Sequence, residues 1–202
     1  MGVGLIHQII VHEKKKVLVK KIVSTPPFAW WWKLHRTPLS AGWWKLNYAF
    51  AYNRTSRRVF ACCILRDQNA QFKAIYAGCV GNNVHNITLA ALNAFRCAAG
   101  LAASEGGDPL EIEGENQTVF RLLRGEIPSP NETTRELVGQ CLGEFNRLRM
   151  VWFRCVEPHA NVAANRLARI AMNTEQTWFF VDNLPAQIAE ILNIDVNGHY
   201  VP

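Results

Sequence analysis

The chain has no uninterrupted apolar run of roughly eighteen residues, the length a membrane-crossing helix requires, so nothing in it reads as a transmembrane span. It also has no C-x-x-C pair and no histidine spacing typical of zinc, although cysteines occur at 62, 63, 79, 97, 141 and 155. Cysteines set inside apolar runs read as buried free thiols of a reducing compartment. The apolar start, Met1 to Val11, lacks a basic n-region and runs into lysines, unlike a secretory signal. The expected setting is therefore intracellular, nucleus or cytoplasm, without a membrane partner. Acids are nearly missing from the first sixty residues, where Glu13 stands alone against eleven Lys and Arg; the remainder holds eleven Lys and Arg against fifteen acids. A basic arm on a mildly acidic body suits a polyanion, or serves only as a solubilising tail.

What is present is ordinary globular material: 202 residues, 49% hydrophobic and 19% charged, with a net charge of +6. That bounds the chain to one domain with extensions. Residues 1–39 read as a basic, Trp-rich N-terminal extension, 40–173 as the domain, and 174–202 as a C-terminal tail packing on or near it. In the extension, Trp30, Trp31 and Trp32 beside Lys33, His35 and Arg36 can stack on bases or cover a core edge. Within the domain, 44–52, 57–66 and 71–80 read as three strands joined by the polar turns 53–57 and 67–70, an antiparallel meander. A long helix follows over 86–105, capped by Asn86 and stopped at Gly106-Gly107. Thr133 to Leu148 reads as a helix, Arg149 to Val156 as a fifth strand, and Asn161 as the cap of a helix carrying Leu167, Ile170 and Ala171. A short amphipathic segment surrounds Ile188, Ile191 and Leu192. Four Asn-x-Thr sequons, at Asn53, Asn86, Asn116 and Asn131, read as chance.

The stretch Leu110–Gly125 changes period part-way. Leu110 and Ile112 alternate with Glu111 and Glu113, and beyond Gly114 the spacing of Val119, Leu122 and Leu123 is helical. Glu115 therefore sits where a strand ends and a helix begins, a place where ligands and metals collect in open α/β sheets. It can serve as a magnesium ligand or as a helix-start acid favoured by the macrodipole. Glu113 would share its face only if β geometry ran unbroken through Gly114.

Three separated stretches carry a resemblance. They are Pro38-Leu-Ser-Ala-Gly-Trp-Trp-Lys-Leu-Asn47, Ile64-Leu-Arg-Asp-Gln-Asn-Ala-Gln-Phe72, and Asn161-Val-Ala-Ala-Asn-Arg-Leu-Ala168. Together with the element order, they resemble the ribonuclease H-like domain of the plant reverse-transcriptase-like type associated with retroelements, over roughly residues 38–198. The resemblance implies an α/β fold with a five-stranded mixed sheet, three strands in an antiparallel meander and two parallel, flanked by helices. It also implies two-metal hydrolysis of RNA in an RNA–DNA hybrid, with magnesium ions about 4 Å apart held by four carboxylates.

Three of the four carboxylates are missing. The first-strand position falls on Ala49, followed by Phe50 where the family has Gly; the long-helix position falls on Ala91 and the last-helix position on Asn165. Glu115 alone remains, so stable magnesium binding is not expected. His159 lies in the loop where the family carries a histidine that assists product release, offset by at least one residue, and reads as solvated. Lys45, Asn47, Asn116 and Asn161 are the expected nucleic-acid contacts. The resulting expectation is an inactive ribonuclease H-like domain that binds hybrid or RNA through its basic N-terminal half. The alternatives are an active hybrid ribonuclease and a retroelement-derived scaffold for a protein partner.

Overall fold

The sheet is organised by one strand whose two faces are both buried. In β1 (Trp44–Asn53), Leu46 and Tyr48 point to one side and Asn47, Ala49 and Ala51 to the other, the period of two that every strand imposes. The computed structural model describes residues 42–197. The expectations for residues 1–39 and for the last five residues of the tail lie outside them.

β1 pairs antiparallel with β2 (Arg58–Arg66), which pairs antiparallel with β3 (Phe72–Gly81), as the meander predicts. On its other side β1 pairs parallel with β4 (Leu110–Gly114), which pairs parallel with β5 (Val151–Cys155). The structure corrects the strand count. A sixth strand, β6 (Trp178–Val181), lies antiparallel on β3, so the order is β5-β4-β1-β2-β3-β6.

Helices cover the two faces unequally. On one face lie α1 (Ile87–Glu105), α2 (Gln117–Leu123) and α3 (Glu132–Glu144), around a core holding Leu46, Tyr48, Phe95, Phe120 and Phe153. On the other lie α4 (Val162–Thr174) and α5 (Ala186–Asn197), whose Leu167 and Leu192 join Ala49, Ala51 and Ile64. Among the described residues α1 is the one helix apolar and long enough to cross a membrane. Here its alanines instead let it lie close on the sheet, with Ala90, Ala91, Ala94, Ala98, Ala99 and Ala102 fully buried.

Three of the four sequons have a structural role as helix caps. Asn86, Asn116 and Asn131 are the N-caps of α1, α2 and α3, each side chain accepting a hydrogen bond from the backbone N–H three residues on. The fourth, Asn53, accepts from the N–H groups of Thr55 and Ser56 and so shapes the β1–β2 turn. Asn–x–Thr is thus a cap followed by a residue of the first turn. Asn161 departs from its expectation: it precedes α4, but its side chain makes no cap hydrogen bond.

The six cysteines are all free; Cys62, Cys63 and Cys141 are buried, whereas Cys79 and Cys97 are half-buried and Cys155 is exposed. In the centre, Tyr48 packs edge-on against Phe95 and Phe120 at ring-centroid distances of 5.3 and 6.1 Å. This cluster sets the size of residue 114. A Cβ there would land inside the Tyr48 ring, so only glycine lets β4 end against it. Overpacking of this kind typically costs about 1–3 kcal/mol, and more where the neighbour cannot move. Gly114→Ala should lower stability by about 3 kcal/mol, read as a shift of the urea unfolding midpoint at unchanged slope.

Candidate functional site

A cleft opens where β4 stops and β1 continues. β1 pairs with β4 only over Trp44–Asn47, so from Tyr48 onward that edge of β1 is left to other partners. The backbone carbonyl of Tyr48 accepts from Asn161 Nδ2 at 2.9 Å. Beyond the strand end the chain turns through Glu115 into α2, and α4 arrives from the opposite face. The resulting cleft, of about 230 Å³, is lined by Tyr48, Ala49, Phe50, Glu115, Asn116 and Asn165. It lies beyond the carboxyl end of β4, beside its parallel neighbour β1, at the end of the sheet where open α/β folds bind ligands.

Three of the four positions singled out from the sequence therefore meet in one place: Ala49, Glu115 and Asn165. The fourth, Ala91, is fully buried in the α1-side core and does not line the cleft. Glu115 is not the cap of α2, since Asn116 takes that role. Its carboxylate instead accepts from two side-chain amides, Asn165 Nδ2 in a short contact and Asn161 Nδ2 at 3.3 Å. A carboxylate can only accept, which dictates that both amides turn their nitrogens toward it. Asn161 is wholly buried and its Oδ1 has no hydrogen-bond partner among the described residues; the same holds for the Tyr48 hydroxyl. Burial pushes the Tyr48 phenol well above its usual range, assisted by neighbouring thiols and by Glu115, so it stays protonated.

This donor set does not fit a pair of magnesium ions. The chemistry needs several hard anionic oxygens shared between two mutually repelling ions. The cleft offers one carboxylate, a methyl group at Ala49 and two amides whose N–H groups are directed at that carboxylate. Among the described residues no group of three or more His, Cys, Asp or Glu is placed to hold a metal.

Two expected nucleic-acid contacts lie elsewhere. Lys45 and Asn47 point to the α4 side of the sheet and face Glu113 on the parallel neighbour. Lys45 Nζ is 2.9 Å from Glu113 Oε1, and Asn47 donates to Glu113 Oε2 at 2.9 Å while accepting from Arg66 at 3.0 Å. Lys45 is 14% exposed and Asn47 5%, so they build a polar layer within the sheet and present little surface to a ligand. Arg154 on β5 completes the layer, at 2.9 Å from Glu111 and 3.6 Å from Glu113. His159 is exposed on the 3₁₀ turn Pro158–Ala160, just before Asn161. Asn116 and Asn161 both belong to the site, one as a lining residue and one as its buried anchor.

The profile of the reverse transcriptase-like family matches residues 47–171. The chain belongs to that family. No curated protein matches the sequence, but solved structures match its fold. A ribonuclease H1 from Halobacterium salinarum superposes with a TM-score of 0.60 at 19% identity, over 66% of this chain and 99% of that one. The N-terminal ribonuclease H domain of a Mycobacterium tuberculosis protein gives 0.59 at 13%, over 65% and 94%. A compost-derived ribonuclease H1, solved in complex with an RNA/DNA hybrid, gives 0.53 at 12%, over 65% and 97%. The family member thus has the ribonuclease H-like fold, with its cleft at the β1/β4 switch point.

Glu111 supplies a pH dependence independent of the cleft. Burial raises its carboxyl to about 7, against the opposing pull of Arg154 and with a further push from Glu113. A carboxyl raised on folding stabilises fully below its unfolded value, and that contribution is lost as pH rises through the folded value. Stability should therefore fall between about pH 5 and 8, by on the order of 2 kcal/mol from this group. Thermal denaturation across that range measures it, and Glu111→Gln should flatten the profile.

Proposed function

We propose that the domain binds nucleic acid without cleaving it. The observation that carries this reading is the state of Glu115: the one retained carboxylate is occupied by the Asn161 and Asn165 amides and faces the Ala49 methyl. Both amides sit on Oε1, and a metal ion approaching Oε2 would find no second anionic ligand among the described residues of the cleft. The loss of acids also removes negative charge from the face that phosphates approach, which favours binding. At the same end of the sheet, the β1–β2 turn carries Arg54 and Arg57, both exposed. These two belong to the basic first sixty residues and are suited to backbone phosphates, where the contact is electrostatic and independent of sequence. The structural relative solved with RNA/DNA hybrid supports a nucleic-acid partner by analogy of fold. An origin among retroelement domains accords with the reverse transcriptase-like profile.

Purified protein with labelled RNA–DNA hybrid and with RNA, in magnesium and then manganese, tests the proposal. No cleavage should appear in either metal, while binding should weaken with salt along a linear log–log slope. Replacing Arg54 and Arg57 together by Ala should reduce that slope by about 1.5, close to one unit for each phosphate no longer neutralised. Cleavage abolished by Glu115→Gln would overturn the reading, as would the absence of any salt-dependent affinity.

A further inference from the structure

One half of a sheet face is inaccessible without a described element to close it. On β4 and β5, Leu110, Ile112, Val151 and Phe153 point to the α1-side core. Glu111, Glu113, Trp152 and Arg154 face the other way, beside Lys45 and Asn47 on β1. No residue of β4 or β5 belongs to the core beneath α4 and α5, and neither helix packs across those strands. A carboxylate on an uncovered sheet face would be hydrated. Glu111 is nevertheless fully inaccessible and Glu113 nearly so. The layer is not closed by its own cations, because Lys45 and Arg154 are themselves largely covered.

The chemistry of this face specifies its cover. It has to exclude water, since burial holds the Glu111 carboxyl at about 7. It also has to bring donors: Arg154 Nε lies 2.9 Å from Glu111 Oε1 as an ion pair, yet neither Glu111 oxygen has a hydrogen bond among the described residues. An indole meets both demands, with a broad apolar ring and one N–H that can only donate. Just ahead of β1 the sequence runs Trp30-Trp31-Trp32, followed by Lys33, His35 and Arg36. The chain enters β1 on the correct side, because Trp43 already packs edge-on against Trp152, at 6.4 Å between ring centroids. Glu111 pairs in register with Lys45, one strand spacing of about 5 Å away. Residues 33–41 can span about 30 Å when extended, ample for the run to turn back over β4 and β5. The five residues after α5 offer one ring, Tyr200, from a helix that packs on α4.

We propose that the Trp30–Trp32 run of the same chain docks on the α4-side face of β4 and β5, its indoles closing Glu111, Glu113 and Trp152 from water. The inference is independent of the nucleic-acid reading, except that rings closed over the sheet are not offered to bases.

Hydroxyl-radical footprinting of the full chain, read by mass spectrometry, tests it directly. Trp30, Trp31 and Trp32 should oxidise several-fold more slowly than in a synthetic peptide of residues 28–41; equal rates overturn the proposal. Protection that vanishes on dilution also overturns it, assigning the face to a second copy. The second test replaces the three tryptophans together by Ser in the full chain, with circular dichroism checking the fold. The charged groups facing Glu111, namely Lys45, Glu113 and Arg154, stay in place, as do Lys33, His35 and Arg36. With Glu111 hydrated, the fall in stability between about pH 5 and 8 should disappear, and adding Glu111→Gln should change the profile no further. A fall that persists in the triple variant, or one removed by Tyr200→Ala instead, overturns the assignment.

Discussion

One buried amide holds the functional end of the domain together. Asn161 is fully inaccessible, and its Nδ2 reaches both the Tyr48 carbonyl on β1 and the Glu115 carboxylate past the end of β4. Three separate pieces of chain, β1, the β4–α2 junction and α4, therefore meet through a single side chain. Tyr48 needs this partner because β4 stops pairing with β1 at Asn47, and an unpaired buried carbonyl would cost about 1–3 kcal/mol. With α4 anchored there, Asn165 lies one helical turn further on and meets Glu115 as a consequence of periodicity. Position and polarity of the cleft both follow from Asn161.

That arrangement explains how the cleft can be stable without cations. Four carboxylates in so small a space would repel one another, and metal ions would be needed to hold them together. One carboxylate receiving two amide hydrogen bonds is electrostatically quiet by comparison. With Ala at 49 and Asn at 165, the cleft is satisfied by the protein's own donors. Ala91 lies in the α1 packing, where a glutamate would have to displace apolar neighbours.

Much of this was legible in the sequence. Alternation marked the meander, the change of period at Gly114 placed Glu115 at a strand–helix junction, and the three spaced motifs identified the fold. The failures have physical causes. β6 has four residues, all apolar, so Trp178-Phe-Phe-Val181 shows no alternation to mark a strand. Lys45 and Asn47 look like solvent-facing positions, but their parallel neighbour supplies Glu113, and strand pairing between distant segments is invisible in local pattern. Asn86 was legible as a cap, whereas the Asn-x-Thr triplets at 116 and 131 carried cap information that a modification motif concealed. Asn161 has the local features of a cap, and only tertiary structure shows that its side chain is engaged by β1 and Glu115.

The polar layer beside the cleft argues that its acid content cannot easily be restored from nearby. Glu113 is two residues from Glu115, yet it is held by Lys45, Asn47 and Arg154, all within a sheet face that is nearly inaccessible. Turning it toward the cleft would leave two cations and an amide buried with reduced compensation, and breaking a buried ion network is strongly destabilising. Glu111 is held one pleat further away, by Arg154. The sheet therefore partitions its carboxylates: two are committed to cross-strand pairing, and one, beyond the glycine that lets Tyr48 close over the strand end, faces the cleft. The anionic character of the cleft rests on Glu115 alone.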